Sequence, residues 1–193
     1  GTVQWRSLDT LQAGATYNQF DALRNALVAW NEAPGTRINL SYAGTVSLND
    51  VPAEPDRVVL WDDPRNEIFG FWNGSGVLAQ AWSRASSPIQ EFNGNRFFRM
   101  TRAYIVIQNN AGSYFSRDNG RNGAEVLTHE IGHTLGLLHP CDDGCSGDEP
   151  NATMFPQAHG DGRGASLASD DIAGAQFLYF FSNPDLIFAN GFE

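Results

Sequence analysis

The segment from His129 to His139 constrains this chain more than any other part of its sequence. It reads His-Glu-Ile-Gly-His-Thr-Leu-Gly-Leu-Leu-His, with His129 and His133 four positions apart. In a helix, residues at this spacing lie on one face, so both imidazoles can point to one metal ion. Gly136 allows a helix to end in a left-handed conformation, after which the chain can bend and bring His139 to the same point. The segment therefore predicts a helix, a glycine turn and a site with three histidines.

Three imidazole ligands leave one coordination position open for water, the arrangement of a catalytic zinc rather than a closed structural site. Glu130 lies on the adjoining edge of the helix, where it can reach a zinc-bound water but cannot replace a histidine ligand. A bare His-Glu-x-x-His also arises by chance, but Gly136 and His139 at fixed offsets favour the zinc site. We expect zinc to lower the pKa of its water to roughly 7. Glu130 would then act as general base and pass the proton to a leaving amine.

Composition limits the class of protein. At 193 residues and 41% hydrophobic residues, the chain can form one domain with a sizeable core. Its net charge of −10 argues against nucleic-acid and anionic-membrane partners, because phosphate binding requires clustered positive charge. No apolar run approaches the roughly 20 residues needed to span a bilayer. We expect a single catalytic domain over 1–193, with an upper lobe to about 136, a lower lobe over 137–180 and a tail over 181–193.

Apolar periodicity predicts an α+β fold. Strands are expected at 3–6, 37–42, 57–61, 77–82 and 103–108, with a turn at 93–95. Helices are expected at 17–31, 124–138 and 169–180, the last with Ser169 as its N-cap, and loops at 112–123 and 139–164. The order predicts a mixed five-stranded sheet with two helices, an active-site cleft and a small irregular C-terminal lobe that ends in a helix.

The histidine motif resembles the zinc signature of the metzincin metalloproteases. That clan also has a methionine turn beneath the zinc, which the segment Asn-Ala-Thr-Met-Phe-Pro at 151–156 resembles, with Met154 as the floor residue. Within the clan the chain is most similar to the matrixins, the matrix metalloproteinase-like family. Residues 76–82 resemble the edge strand of the matrixin cleft, and 167–179 resemble the closing helix, including a paired Asp170-Asp171. The resemblance implies the metzincin, zincin-like fold and a zinc endopeptidase acting on proteins or peptides.

The resemblance also implies where a substrate would bind. A peptide would lie extended along the edge strand, and the pocket for the residue after the cut would lie between the active-site helix and the methionine turn. The residues expected to contact it are Leu78, Ala79, Gln80, Ala81, Phe155 and Pro156. By motif alignment Glu125 approaches the base of this pocket, where a buried carboxylate would favour a basic side chain. An exposed Glu125 on the helix surface is the alternative, and His159 belongs either to the pocket rim or to a solvated loop.

Two positions depart from the matrixin pattern. Gln80 stands where the edge strand usually carries a histidine for a second, structural zinc, and no histidine precedes His129. One zinc ion, the catalytic one, is therefore expected. Phe155 replaces the usual tyrosine after the turn methionine, which removes a hydroxyl near the specificity pocket.

The segment between His139 and Met154 is longer than in matrixins and carries Cys141 and Cys145. This close pair can form a small disulfide in an oxidising compartment, which fits a secreted, extracellular enzyme; free thiols and metal ligation are the alternatives. Acidic residues nearby offer the hard oxygen ligands that suit calcium, although acidic loops are usually only solvated. They are Asp142, Asp143, Asp148, Glu149 and Asp161.

Partners follow from the same resemblance. We expect a monomer that acts on protein or peptide substrates, and a propeptide or inhibitor, as matrixins have, would lie outside this chain. A non-proteolytic zinc-binding or interaction module is the second hypothesis, against which the intact Glu130 argues. A zinc peptidase with glutamate as third ligand is excluded by Gly136 and His139.

Overall fold

The computed structural model describes residues 1–92, 95–141, 145, 147 and 149–179. At its centre lies the expected mixed sheet of five strands, in the order β2-β1-β3-β5-β4. The strands are β1 Val3–Leu8, β2 Leu40–Val46, β3 Val58–Leu60, β4 Ala79–Phe92 and β5 Asn95–Ile107. The first four in this spatial order run parallel, and β4 pairs antiparallel with β5 at the edge. The segment expected to line the cleft therefore does begin an edge strand.

Four helices occur in the described part of the chain, two more than the two expected to cover the sheet when the C-terminal helix is included in the count. They are α1 Gln19–Asn31, α2 Gly112–Phe115, α3 Arg117–Thr134 and α4 Ser169–Leu178. Short 3-10 turns cover Leu48–Asp50 and Glu149–Asn151. The expected turn at 93–95 falls largely outside the described residues.

The expectation of a solvated loop over 112–123 is wrong, because this glycine-rich segment is packed. A Cβ atom at Gly112 would overlap the Ala13 carbonyl, and Phe115 is fully buried. The chain then makes a left-handed turn at Asp118, Asn119 and Gly120, all with positive φ, before α3 continues. The glycines here permit close packing and a change of direction rather than exposure.

The N-cap expected at Ser169 is also wrong. Ala168 precedes α4, and its backbone amide donates to the Asp171 carboxylate at 2.7 Å. An acidic side chain in the first turn of a helix thus replaces a hydroxyl cap.

Helix α3 is held in place by close contact with α1. The buried Trp30 indole donates to the Thr128 carbonyl at 2.9 Å. A Cβ atom at Gly132 would lie 2.8 Å from the Trp30 ring and would overlap Met154. Only glycine at this position lets the end of α3 sit this close to both residues. No helix in the described ranges has the length and apolar character needed to cross a membrane.

Candidate metal centre and substrate cleft

The glycine turn after α3 has the geometry that the sequence predicts. Gly136 has φ +98°, its amide donates to the His133 carbonyl at 3.0 Å, and the Leu137 amide donates to the Gly132 carbonyl at 3.0 Å. These two bonds form a Schellman motif, in which a left-handed residue satisfies the last carbonyls of a helix. The turn ends α3 at Thr134 and redirects the chain, so that His139 faces the histidines of the helix.

Three imidazole nitrogens meet at one point. The Nε2 atoms of His129 and His133 are 3.0 Å apart, and the His139 Nε2 lies 3.1 Å from each of them. Among the described residues, these histidines form the one group of three or more ligand side chains close enough to hold a metal ion.

Backbone carbonyls fix the orientation of two rings. His129 Nδ1 donates to the Thr153 carbonyl and His133 Nδ1 to the Leu137 carbonyl, both at 2.8 Å. A carbonyl can only accept, so the proton of each neutral ring is on Nδ1 and the Nε2 lone pair faces the centre. Lone pairs at this separation repel one another unless a cation lies between them. The donor set therefore fits a zinc ion, for which neutral imidazoles with hydrogen-bonded Nδ1 atoms are common ligands.

The rings are also neutral in their protonation. Burial, followed by the neighbouring His133, lowers the pKa of His129 to about 3. Burial likewise lowers the pKa of His133. Both residues therefore have the deprotonated Nε2 that metal binding requires near neutral pH.

Met154 lies beneath the centre, as expected for the turn methionine. Its side chain is buried against Gly132, next to the histidines of α3. The turn is tied to α4, because the amides of Thr153 and Met154 donate to the two carboxylate oxygens of Asp171 at 2.8 and 2.9 Å. Asp171 is itself 1% exposed. A continuous chain of hydrogen bonds thus runs from α4 through Thr153 to the His129 ring.

Glu130 is buried beside the same centre and the edge strand. Burial raises the pKa of its carboxyl group to about 8, and a hydrogen bond with the Ala81 backbone acts in the opposite direction. A dication held by the adjacent histidines would favour the ionised carboxylate. Glu130 therefore lies where a carboxylate can exchange protons with a molecule bound in the cleft.

A hollow of about 470 Å³ opens next to His129 and Glu130, between the start of β4 and the segment after Met154. Of the residues expected to contact a substrate, four line it: Leu78, Ala79, Glu125 and Pro156. Gln80 and Ala81 continue along the edge strand, and the Phe155 ring faces His159 with centroids 5.9 Å apart.

Glu125 is buried, with an exposed fraction of 2%, so the alternative of an exposed helix residue is wrong. Its carboxylate accepts from the His159 amide at 2.7 Å, the His159 Nδ1 at 2.9 Å and the Gly160 amide at 3.2 Å. The other ring nitrogen of His159 lies 2.8 Å from the Pro150 carbonyl. The carboxylate is thus directed at the protein's own loop, which removes the reason to expect a basic substrate side chain. The Glu125–His159 pair instead fixes the segment that forms one wall of the hollow.

Cys141 and Cys145 are joined in a disulfide, with Cα atoms 4.3 Å apart. Of the acidic residues considered for calcium, Asp142, Asp143 and Asp148 lie outside the described residues. Asp161 is paired with Arg163 at 2.8 Å.

Sequence reasoning missed several parts of this site. The carbonyls of Thr153 and Leu137 orient the rings, and the Ala81 backbone contacts Glu130, but main-chain groups leave no signature in residue type. Trp72, Tyr114 and Arg117 also line the hollow. The paired aspartates at the start of α4 were the one available signal for the link from Asp171 to the methionine turn.

The helix that supplies two histidines, the glycine turn that returns a third and the methionine beneath them define the class as the metzincin fold. The matrixin family model matches residues 4–180 of the chain. The chain therefore belongs to the matrixin family.

Individual relatives agree with this assignment. Matrix metalloproteinase-20 from Homo sapiens is 29% identical over 160 residues, 82% of this chain and 27% of that protein. Matrilysin from Rattus norvegicus is 44% identical over 63 residues, 32% of the chain and 21% of the relative. Serralysin from Photorhabdus laumondii is 28% identical over 117 residues, 59% of the chain and 22% of the relative. The chain thus spans about a quarter of the length of the curated relatives it matches.

Proposed function

We propose that this chain is a secreted zinc-dependent endopeptidase that hydrolyses peptide bonds in proteins. The observation that carries the proposal is the convergence of three Nε2 atoms within 3.1 Å of one another, with two rings locked by backbone carbonyls. Membership of the matrixin family and similarity to proteins named metalloproteinases support the same activity.

His129, His133 and His139 would hold the zinc ion, and Met154 would support them from below. Zinc supplies a Lewis acid that makes water a nucleophile near neutral pH and polarises a carbonyl. The Glu130 carboxylate accepts a proton from the attacking water as the new C–O bond forms. It then returns that proton to the nitrogen of the leaving amine as the C–N bond breaks.

The edge strand and the hollow would position the substrate. An extended peptide can pair with the outer edge of β4 along Leu78, Ala79, Gln80 and Ala81, which supplies main-chain hydrogen bonds independent of sequence. The side chain after the cut would enter the hollow, with Pro156 on its wall and Phe155 and His159 behind that wall. Glu125 acts here by fixing the wall.

The disulfide between Cys141 and Cys145 is compatible with an oxidising, extracellular location. Protein or peptide chains are the substrates, the acting unit is a monomer of one catalytic domain, and a propeptide or inhibitor would bind over the cleft. A single zinc ion is the metal of this proposal.

Replacing Glu130 with alanine tests the proposal. Loss of a general base should lower kcat/KM for casein by about 10²–10⁴-fold. The zinc content, measured by metal analysis of the purified variant, should match that of the wild type because the histidines are retained.

The control is Glu32→Ala, which removes an exposed carboxylate at the end of α1 and should leave both zinc and activity unchanged. Cleavage at the wild-type rate by Glu130→Ala would disprove the assigned role. A wild-type protein that binds zinc and cleaves nothing would favour the non-proteolytic module instead.

A further inference from the structure

The hairpin of β4 and β5 extends beyond the sheet that it borders. The two strands cover Ala79–Phe92 and Asn95–Ile107, whereas β3 pairs with β5 only at Ile105 and Val106. From Arg102 towards Asn95, β5 is paired with β4 alone among the described strands. The outer edge of β4 has no paired strand in the described part of the chain, so it continues past the cleft as an open edge.

This hairpin carries positive charge on a strongly acidic protein. It contains four of the chain's twelve arginines, whereas the whole molecule has a net charge of −10. They are Arg84, Arg96, Arg99 and Arg102. Arg84 and Arg102 both approach the Glu54 carboxylate, and Glu91 stands opposite Arg96 in the strand register. Four arginines against two carboxylates leave an excess of positive charge.

The hairpin is held against the body of the protein at both ends. Near the sheet, Trp82 stacks on Tyr104 with ring centroids 6.2 Å apart, and the Tyr104 hydroxyl donates to Glu67 at 2.7 Å. Near the turn, Phe97 is buried against Phe177 of α4, with centroids 5.6 Å apart. Phe98, by contrast, is 51% exposed beside the arginines. The hairpin therefore offers a supported surface that is both cationic and partly apolar.

The direction of a bound peptide places this surface before the cut. The residue after the cut would enter the hollow beside Leu78 and Ala79, at the start of β4. Glu130 contacts Ala81, so earlier residues of the substrate would pass Trp82 and Arg84 in turn. This orientation is antiparallel to β4, and it leads the N-terminal part of the substrate along the hairpin.

We propose that the β4–β5 hairpin is an extended substrate-binding surface that selects protein segments with acidic residues several positions before the cut. The inference rests on the proposed peptidase function. Opposite charges across such a rim raise the local concentration of substrate and slow its release, so the effect belongs to KM. A main-chain ladder along β4 would hold the segment in register.

A simpler explanation exists for arginines on an open strand. Charged residues and proline protect exposed edges from pairing with other molecules, and this strand also contains Pro88. In that case, replacing the arginines would promote aggregation and leave substrate preference unchanged. The two explanations therefore predict different results in one experiment.

The test compares three fluorogenic peptides that share one cleavable core, preceded by an acidic, an uncharged or a basic extension. The wild-type protein should cleave the acidic peptide with a kcat/KM about five- to tenfold above that of the uncharged peptide, with the difference in KM, and cleave the basic peptide more slowly. At about 1 M salt, where screening acts within 3 Å, the three values should converge to within about twofold.

The matched variants each remove two positive charges. Arg96→Gln with Arg99→Gln should abolish the preference for the acidic extension, and Arg96→Glu with Arg99→Glu should reverse it. The control, Arg24→Gln with Arg121→Gln, changes two exposed arginines on α1 and α3 and should keep the preference. All four proteins should cleave the core peptide without extension at the same rate.

Equal kcat/KM for the three extensions, or a preference that survives in the hairpin variants, would overturn the inference. Cleavage of the core peptide reports on the peptidase function separately. If the core is cut and charge has no effect, only the hairpin proposal fails. If no peptide is cut, both the function and the surface that depends on it fail.

Discussion

At the scale of single residues, the candidate centre depends on main-chain groups as much as on the motif. The histidine spacing brings three rings together, but the carbonyls of Thr153 and Leu137 decide which nitrogen of His129 and His133 faces the ion. Both carbonyls belong to turns, one around Met154 and one after Gly136. The motif therefore functions only with the turns that flank it.

Glu125 provides a test at this scale. In Glu125→Gln, the amide NH₂ would face one of the N–H groups that now donate to the carboxylate, so one buried donor loses its partner. We expect a loss of about 1.5–3 kcal/mol in the free energy of unfolding. The wall of the hollow should loosen, so that KM rises more than kcat falls.

Urea unfolding and steady-state kinetics with the core peptide measure both effects. Glu32→Gln, at an exposed carboxylate, is the control and should match the wild type. Unchanged stability and unchanged KM in Glu125→Gln would show that the pair does not fix the wall.

The metal ligands, the glycine turn and the turn methionine could be predicted from the sequence, because each depends on the spacing or conformational freedom of a particular residue type. The role of Glu125 could not. Its position relative to His129 indicated the hollow, but its partners His159 and Gly160 lie more than thirty residues away in the chain. Tertiary contact, not local pattern, decides whether such a carboxylate serves the substrate or the fold.

At the scale of elements, helix α4 is connected to the metal centre through one buried carboxylate. Asp171 accepts from the backbone amides of Thr153, Met154 and Ala168. Thr153 in turn receives the His129 ring proton. The C-terminal helix is thus joined to the site by hydrogen bonds.

Asp171→Asn should weaken this connection. The amide NH₂ would oppose at least one of the three backbone donors, and we expect a loss of about 1.5–3 kcal/mol in stability. Because the turn carries the acceptor for His129, the affinity for zinc should also fall. Thermal unfolding and zinc competition with a chromogenic chelator measure the two effects.

Asp170→Asn is the matched control, since it removes the same charge from the same helical turn. It should alter zinc affinity less than Asp171→Asn does. Equal effects of the two substitutions would mean that charge at the start of α4, and not the hydrogen bonds of Asp171, matters.

Elements with clear periodicity were predictable, and those shaped by packing were not. Helix α1 and the central strands were found within a few residues. The strand expected at 37–42 instead spans Leu40–Val46, because it begins where Leu40 pairs with Val3 and exchanges two hydrogen bonds with the Asn31 side chain. The full length of the β4–β5 hairpin escaped notice, since its polar residues do not alternate as half-buried strands do.

At the scale of the whole molecule, the net charge of −10 is unevenly distributed. The acidic excess excluded nucleic acid as a partner, but it did not indicate that a third of the arginines lie on one hairpin beside the cleft. A protein of one net sign can therefore still present the opposite sign to its substrate. The extent of the domain over 1–193 and its lobes stay predictions.

The central claim is that the three histidines hold a zinc ion that the protein needs to cut peptide bonds. The most direct measurement follows casein cleavage by the purified chain before metal removal, after dialysis against a strong zinc chelator, and after zinc is returned. We expect cleavage to disappear with the metal and to return when zinc is restored. Metal analysis should find about one zinc per chain in the active states. Full cleavage by protein that metal analysis shows to be free of zinc would contradict the account.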